Sequence, residues 1–144
     1  MIFSRKKRLI VRLLVVEDEP LVAFDTEHFL SDAAYEIVGT VDRVADAVQL
    51  IDGGTTIDLV LADVDLADGT GIDVARAARA RDIPVLFVTG NFPDGAAEFA
   101  AGCLAKPYMQ RDLLGAIAAI EATLGGQAPK RLPSGFTLFD RAVS

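Results

Sequence analysis

The sequence contains one cysteine, no long uncharged apolar run and few basic residues beyond its first twelve positions. The single cysteine, Cys103, excludes an intrachain disulfide, and its apolar neighbours predict a buried structural thiol. No stretch reaches the length of a transmembrane helix without a charged residue. The basic start runs into an acidic motif and has no small-residue cleavage site, so we expect a soluble cytoplasmic protein.

Charge is distributed unevenly along the 144 residues, whose formal net charge is −7. Basic residues cluster in positions 5–12, and the remainder of the chain is strongly acidic. We therefore do not expect the globular part to bind nucleic acid by itself. Residues 1–8 are interpreted as a solvated basic extension, although a short basic segment is also able to contact RNA or an anionic lipid.

Strand and helix signals alternate five times, in a chain whose length suits one domain. Pro20 is placed to begin the first helix, and Asp42 is placed to cap the second. This alternation predicts an α/β fold in which a doubly wound five-stranded parallel sheet lies between two layers of helices. The predicted strands cover residues 9–16, 35–41, 57–63, 83–88 and 102–105, and the helices cover 20–33, 44–51, 72–80, 96–101 and 109–124.

Two acidic patches follow two of the predicted strands. Glu17 and Asp18 come directly after the first strand, and Asp63 follows the third. Ligands bind beyond the carboxyl ends of strands in an open α/β sheet, so these side chains converge if the two strands are neighbours. Carboxylates this close repel one another unless a cation joins them, and hard oxygen ligands favour Mg²⁺ or a similar metal.

Polar residues follow two further strands. Thr89 comes at the end of the fourth strand, and Lys106 follows the fifth. Either residue alone is common at a strand end, where turns and caps form. Their alignment with Glu17, Asp18 and Asp63 is what indicates a single functional pocket.

At this point the chain resembles the receiver domain of two-component response regulators, over about residues 9–124. The resemblance implies a flavodoxin-like strand order of 2-1-3-4-5. It rests on Leu-Val-Val-Glu17-Asp18-Glu19-Pro20, Asp58-Leu-Val-Leu-Ala-Asp63, Asp68-Gly69-Thr70-Gly71, Phe87-Val88-Thr89-Gly90 and Lys106-Pro107-Tyr108.

The resemblance also implies a metal-dependent phosphoacceptor. Asp63 would accept a phosphoryl group from a phosphohistidine on a histidine kinase or a histidine phosphotransfer protein. Asp18, Asp63 and the backbone carbonyl of Asp65 would bind Mg²⁺, with Glu17 acting on the metal through water.

Thr89 and Lys106 would interact with the negative charge that the phosphoryl group adds. Thr89 would hydrogen-bond a phosphoryl oxygen, and Lys106 would form an ion pair with Asp63 or the phosphoryl group. In this family a proline follows the lysine, often after a cis peptide bond, and here that residue is Pro107.

Several residues depart from the usual receiver pattern. Cys103 occupies the position of an aromatic switch residue, three positions before the lysine, and Ala67 replaces a proline after Asp63. Phe87-Val88-Thr89-Gly90 resembles a stand-alone receiver subfamily with Phe-Ala-Thr-Gly at this place. The short segment between Thr89 and Lys106 predicts a reduced fourth helix.

The sequence divides into a basic extension (1–8), a receiver domain (9–124) and a tail (125–144). Since few residues follow the receiver, we expect no DNA-binding domain, and output through protein contacts or onward phosphotransfer. An apolar cluster in the tail, Phe136, Leu138 and Phe139, favours docking on the domain over pairing with another chain or disorder. A homodimer is possible.

Two other functions stay open. Asp63-Val64-Asp65 after a strand is also how haloacid-dehalogenase-type phosphatases begin, with Asp63 as nucleophile and Asp65 as general acid. That family places its acidic pair after the nucleophile, whereas Glu17 and Asp18 precede it here. A receiver that binds partners without phosphorylation is the third reading. The only histidine, His28, is interpreted as a surface residue of the first helix.

Overall fold

A computed structural model describes residues 8–91 and 93–139. The elements follow the predicted alternation, with each central strand read correctly as a short apolar run. In chain order they are β1 (Arg12–Val16), α1 (Pro20–Asp32), β2 (Glu36–Val41), α2 (Val44–Asp52), β3 (Leu59–Ala62), β4 (Asp65–Leu66), β5 (Gly69–Thr70), α3 (Gly71–Arg79), β6 (Val85–Thr89), α4 (Ala96–Phe99), β7 (Gly102–Ala105), α5 (Gln110–Leu124) and β8 (Phe136–Leu138).

The main sheet has the order β2-β1-β3-β6-β7-β8, and its first five strands are all parallel. The predicted doubly wound sheet and its flavodoxin-like order are therefore confirmed. β3 and β6 are buried along their whole length, which explains why their sequences are continuously apolar rather than alternating. β1 lies between β2 and β3. The strand that follows β1 in the chain is therefore on one side of it and the next strand is on the other side. This reversal of the strand order leaves a crevice at the carboxyl end of β1.

The core consists of two apolar clusters, one on each face of the sheet. Alternate residues of each central strand belong to opposite clusters, as the period of a strand requires. One cluster includes Leu13, Val15 and Ile117 of α5, and the other includes Leu14, Val16 and Val74 of α3. Helices on both faces complete the predicted three layers. Among the described residues, no helix is long and apolar enough to cross a membrane.

The tail adds a sixth strand that the prediction of five did not include. β8 pairs antiparallel with β7, with Leu104 opposite Phe136 and Gly102 opposite Leu138. The apolar cluster of the tail thus docks on the sheet, and it takes the edge position beside β7. Residues 140–144 of the predicted tail lie outside the described residues.

The predicted basic extension lies outside the described residues except for Arg8. The Arg8 guanidinium lies over the Tyr35 ring, 4.4 Å from its centroid, and donates hydrogen bonds to the carbonyls of Ala33 and Ala34. Next to it, a carboxylate oxygen of Glu121 accepts hydrogen bonds from the N–H groups at positions 9 and 10. These contacts hold the segment that precedes β1 against the end of α1 and against α5.

The cap of α2 differs from the prediction. The helix has Arg43 at its N-cap and no side-chain cap from the preceding residues, so the assignment of this role to Asp42 was wrong. The carboxylate of Asp68, which lies in the turn between β4 and β5, accepts hydrogen bonds from the N–H groups of Val44 (2.6 Å) and Ala45 (3.1 Å). A distant loop therefore satisfies the free amides at the start of this helix.

We expect Asp68→Ala to lower the urea midpoint of unfolding at neutral pH, and Asp42→Ala to leave it unchanged. The hydrogen bond from Val44, followed by that from Ala45, holds the pKa of Asp68 below its usual range. The cap therefore stabilises the fold fully above the unfolded-state pKa, and this contribution disappears as the pH falls through the lower folded-state pKa. Equal midpoints for wild type and Asp68→Ala near pH 7 would contradict this assignment.

Cys103 is fully buried, as the sequence predicts. Burial raises the pKa of its thiol to about 12, so the thiolate is scarce at ordinary pH. We expect no labelling of the native protein by a disulfide reagent at about pH 8, and complete labelling after unfolding in guanidinium. The unfolded sample is the control for reagent quality, and fast labelling of the native state would show that β7 opens readily.

Candidate functional site

Three carboxylates converge at the carboxyl ends of β1 and β3. Because the two strands are neighbours, with Val16 opposite Ala62, the residues that follow them lie side by side. The Asp63 N–H donates to the Val16 carbonyl at 2.9 Å and extends the ladder to the site. One oxygen from each of Glu17, Asp18 and Asp63 lies within 4.8 Å of the others. The structure therefore brings together the acidic group that the sequence predicts.

Lys106 enters the same site from β7. Its Nζ donates to Oδ2 of Asp63 at 2.9 Å and lies 3.3 Å from Oε1 of Glu17. β6 lies between β3 and β7, so a side chain that follows β7 must reach across about 10 Å to meet one that follows β3. A long, flexible lysine is suited to that span. The bond that precedes Pro107 is cis, as the family resemblance implied.

The charges of this group are only partly balanced. Burial raises the pKa of Glu17, and its hydrogen bond from Glu19 and the charge of Lys106 do not fully offset that effect. Burial by itself lowers the pKa of Lys106, but the hydrogen bond to Asp63 and the charges of Glu17 and Asp63 outweigh burial and raise it. Both groups hold a proton more readily than usual, as expected where one ammonium faces several carboxylates.

The residues present fit a divalent cation of the Mg²⁺ type. Asp18 is exposed, and within the part of the chain that the structure describes no basic group lies within 4.0 Å of it. The site offers hard carboxylate oxygens, which Mg²⁺ prefers, and an opening to solvent through which the ion is able to retain waters. A cation here would also reduce the repulsion among Glu17, Asp18 and Asp63.

Thr89 lies at the end of β6, between the acidic group and the strand that carries Lys106. Its backbone carbonyl accepts the N–H of Lys106 at 2.9 Å. Its buried hydroxyl donates to the Asn91 carbonyl (2.9 Å) and accepts the Asn91 N–H (3.2 Å). The hydroxyl is thus engaged by its own loop in this structure, and Asn91 is a partner that the sequence reasoning missed.

Asp65 has a different place from the other acidic residues. Its side chain is exposed, and it is not among the carboxylates that meet at the site. Its N–H donates to Oδ1 of Asp63 at 3.3 Å. The backbone of Asp65 therefore contacts Asp63, while the predicted metal-binding role of its carbonyl oxygen stays a prediction.

Tyr108, the last residue of the Lys106-Pro107-Tyr108 motif, borders the site. It forms a side-chain hydrogen bond with Thr26 of α1, and burial raises its pKa. Thr26 is itself buried, so this bond ties the segment after Lys106 to α1. The sequence reasoning missed Thr26, and its position as a polar residue in the middle of α1 was the available signal. His28 is exposed on the same helix and stacks on Phe24, with ring centroids 4.0 Å apart, as a surface histidine does.

Comparisons with known proteins agree with this geometry. The chain matches the family described as "Response regulator receiver domain" over residues 13–118, which is more than half of its length. It is 32% identical over 101 residues to the phyllosphere-induced regulator PhyR of Methylorubrum extorquens, with 67% of this chain and 38% of that protein covered.

It is 36% identical over 112 residues to the transcriptional regulatory protein PdtaR of Mycobacterium tuberculosis, with 74% of this chain and 54% of that protein covered. The chain thus spans about half of the length of one of these relatives and less of the other. A response regulator receiver protein from Sinorhizobium medicae superposes with a TM-score of 0.68 at 26% identity, over 77% of this chain and 94% of that one. Receiver domains are signalling proteins, and this chain belongs to the response regulator receiver domain family.

Proposed function

We propose that the chain is a phosphoacceptor switch in which Asp63 receives a phosphoryl group from a phosphohistidine of a histidine kinase or a phosphotransfer protein. An Asp63 oxygen would attack phosphorus, the P–N bond to the imidazole would break, and its electron pair would stay on the nitrogen. The product is an aspartyl phosphate. Signalling would follow through protein contacts or onward phosphotransfer, and the cytoplasm stays the predicted location.

The observation that carries this proposal is the 2.9 Å contact between Lys106 Nζ and Asp63 Oδ2 inside the acidic group. This contact with the ammonium positions the Asp63 carboxylate, which is the group that would act as the nucleophile. The same ammonium is near enough to neutralise charge on the oxygens of an incoming phosphoryl group. Positioning and charge neutralisation are the main demands of phosphoryl transfer, and this pair supplies part of both.

The metal-binding part of the proposal assigns Glu17, Asp18, Asp63 and the Asp65 carbonyl to Mg²⁺. A bound Mg²⁺ would supply charge neutralisation at the oxygens of the transferring group. Among the three carboxylates that meet at the site, Asp18 is the exposed one, so it is the natural direct ligand. Glu17 is buried and contacts Lys106, which agrees with an indirect role through water.

Thr89 would provide the response to phosphorylation. For its hydroxyl to bond a phosphoryl oxygen, it must give up its contacts with Asn91, and the loop after β6 must then rearrange. A dianion at Asp63 supplies the charge that would favour this exchange. The segment that follows is short, since α4 is a single turn of four residues.

The proposed switch has no aromatic side chain at the position of Cys103. That residue is buried opposite Phe87 in the ladder between β6 and β7. A thiol is too small to swing between buried and exposed positions as a ring would. We therefore also propose that the chain switches in the manner of the stand-alone receivers that carry Phe-Ala-Thr-Gly at the place of Phe87-Val88-Thr89-Gly90.

The phosphatase alternative has less support. A general acid at Asp65 would need its carboxyl group at the reaction centre, but that side chain is exposed and the contact to Asp63 is made by its N–H. The third alternative, partner binding without phosphorylation, is compatible with the fold. The site residues of a phosphoacceptor are all present, however, and a pure binding domain would not need them.

We expect the purified protein to gain the mass of one phosphoryl group when it is incubated with acetyl phosphate and Mg²⁺. Asp63→Ala should abolish the gain, because the attacking oxygen is lost. Asp65→Ala is the matched control, since it removes a neighbouring carboxylate and keeps the backbone. Intact mass spectrometry is the measurement. If no donor, including a panel of histidine kinases, ever gives the mass gain, the chain is a binding domain only. Steady release of phosphate from a phosphomonoester would instead favour the phosphatase.

We expect Lys106→Met to raise the affinity for Mg²⁺ and to slow phosphorylation. Loss of the ammonium removes repulsion toward a cation, so Mg²⁺ should bind about tenfold more tightly in calorimetric titration, after discount for partial exposure. Phosphorylation by acetyl phosphate should slow by about 10²-fold, because one group that stabilises charge is lost. Asp18→Asn is the matched control and should weaken Mg²⁺ binding. Unchanged Mg²⁺ affinity in both variants would place the ion elsewhere.

A further inference from the structure

The tail covers the whole edge of β7. Inside the ladder, Leu104 faces Phe136 and Gly102 faces Leu138. Beyond it, the Ala105 N–H donates to the Gly135 carbonyl and the Phe139 N–H donates to the Ala101 carbonyl, both at 2.9 Å. The main-chain groups along this edge are therefore satisfied by residues 135–139 of the same chain.

Two glycines make room for two side chains of the tail. A Cβ on Gly102 of β7 would lie 2.6 Å from Cε1 of Phe136, which is closer than such contacts occur. A Cβ on Gly115 of α5 would lie 2.7 Å from Cγ of Pro133. The aromatic ring is buried and the proline ring is half-buried. β7 and α5 together therefore form a groove that accommodates a proline and, three residues later, a phenylalanine.

In the described part of the tail, the segment that pairs with the sheet is short. β8 is three residues long, and the linker before it stands away from α5 and leaves a cleft of about 840 Å³. Leu138 and Phe139 are only half-buried. The five parallel strands pair with one another without β8. Short edge segments of this kind open at a lower free energy than the core strands do.

We propose that the β7–α5 groove, defined by the edge of β7 with Gly102 and Gly115, is a strand-docking site that residues 133–139 occupy in cis. Its occupant in trans would be an extended segment of a partner protein that carries a Pro-x-x-Phe pattern. Main-chain hydrogen bonds to β7 supply affinity in such strand addition, and side-chain pockets supply specificity. The tail shows which side chains the groove accepts, and its limited attachment makes it displaceable.

The test uses the whole 144-residue chain with a substitution that releases the tail from the groove. Thr137 lies in the middle of β8 opposite Cys103, and its side chain is exposed. Thr137→Pro removes a ladder N–H, so it should release the tail, whereas Thr137→Val keeps the strand and is the matched control. The probe is a fluorescent peptide of residues 131–139, followed by anisotropy.

We expect the peptide to bind Thr137→Pro and to bind wild type and Thr137→Val at least about tenfold more weakly, because the tethered tail competes at a high effective concentration. The peptide with Phe136→Ala should lose at least about tenfold in affinity for Thr137→Pro. Addition of Gly102→Val to Thr137→Pro should abolish binding, because the new side chain fills the place of the ring.

Three results would overturn the proposal. The first is a folded Thr137→Pro protein that does not bind the peptide at any accessible concentration. The second is unfolding of both Thr137→Pro and a second variant, Phe136→Ala, since β8 would then be an inseparable part of the core. The third is a dimer of the wild-type chain that the peptide dissociates, which would make a second copy, and not a different protein, the trans occupant.

Discussion

The ion pair between Lys106 and Asp63 is the interaction on which the rest of the site depends. Three carboxylates are held together by the ends of two buried strands, and a single ammonium contacts two of them. The strands cannot separate without opening the core, so the repulsion among the carboxylates cannot relax by movement of the backbone. The excess negative charge can be balanced only by a proton or by a cation. A site in this condition responds strongly to small changes of charge.

The sheet order determines which side chains meet there. β1 and β3 are neighbours, so Asp18 and Asp63 come from segments far apart in the chain and yet lie in contact range. β6 separates β3 from β7, so Thr89 at the end of β6 lies between the ends of the strands that precede Asp63 and Lys106. The same backbone arrangement that buries the apolar strands thus places the Thr89 hydroxyl at the edge of the sheet where Asp63 and Lys106 meet. The apolar strands and the polar residues that follow them therefore determine both the packing of the sheet and the composition of the site.

Much of this arrangement could be predicted from the sequence because it follows from strong, local patterns. Short apolar runs located the central strands, and the polar residue after each run located the site. What the sequence did not reveal depends on contacts between distant segments. Asp68 caps a helix from another loop, and Asn91 holds the Thr89 hydroxyl through a geometry that no periodicity encodes. The tail showed an apolar cluster, but its direction and register against β7 depend on space left by Gly102 and Gly115.

β7 is the element that the site and the tail share. The N–H of Lys106 bonds to the Thr89 carbonyl on one side of the strand, and the N–H of Ala105 bonds to the Gly135 carbonyl on the other. The last residue of this short strand and the residue that follows it therefore bond in opposite directions, Ala105 to the tail and Lys106 to the end of β6. One planar peptide unit joins the two residues and holds their Cα atoms at a fixed distance. The site and the docked tail are therefore adjacent along the backbone, through hydrogen bonds in which the buried side chain of Cys103 takes no part.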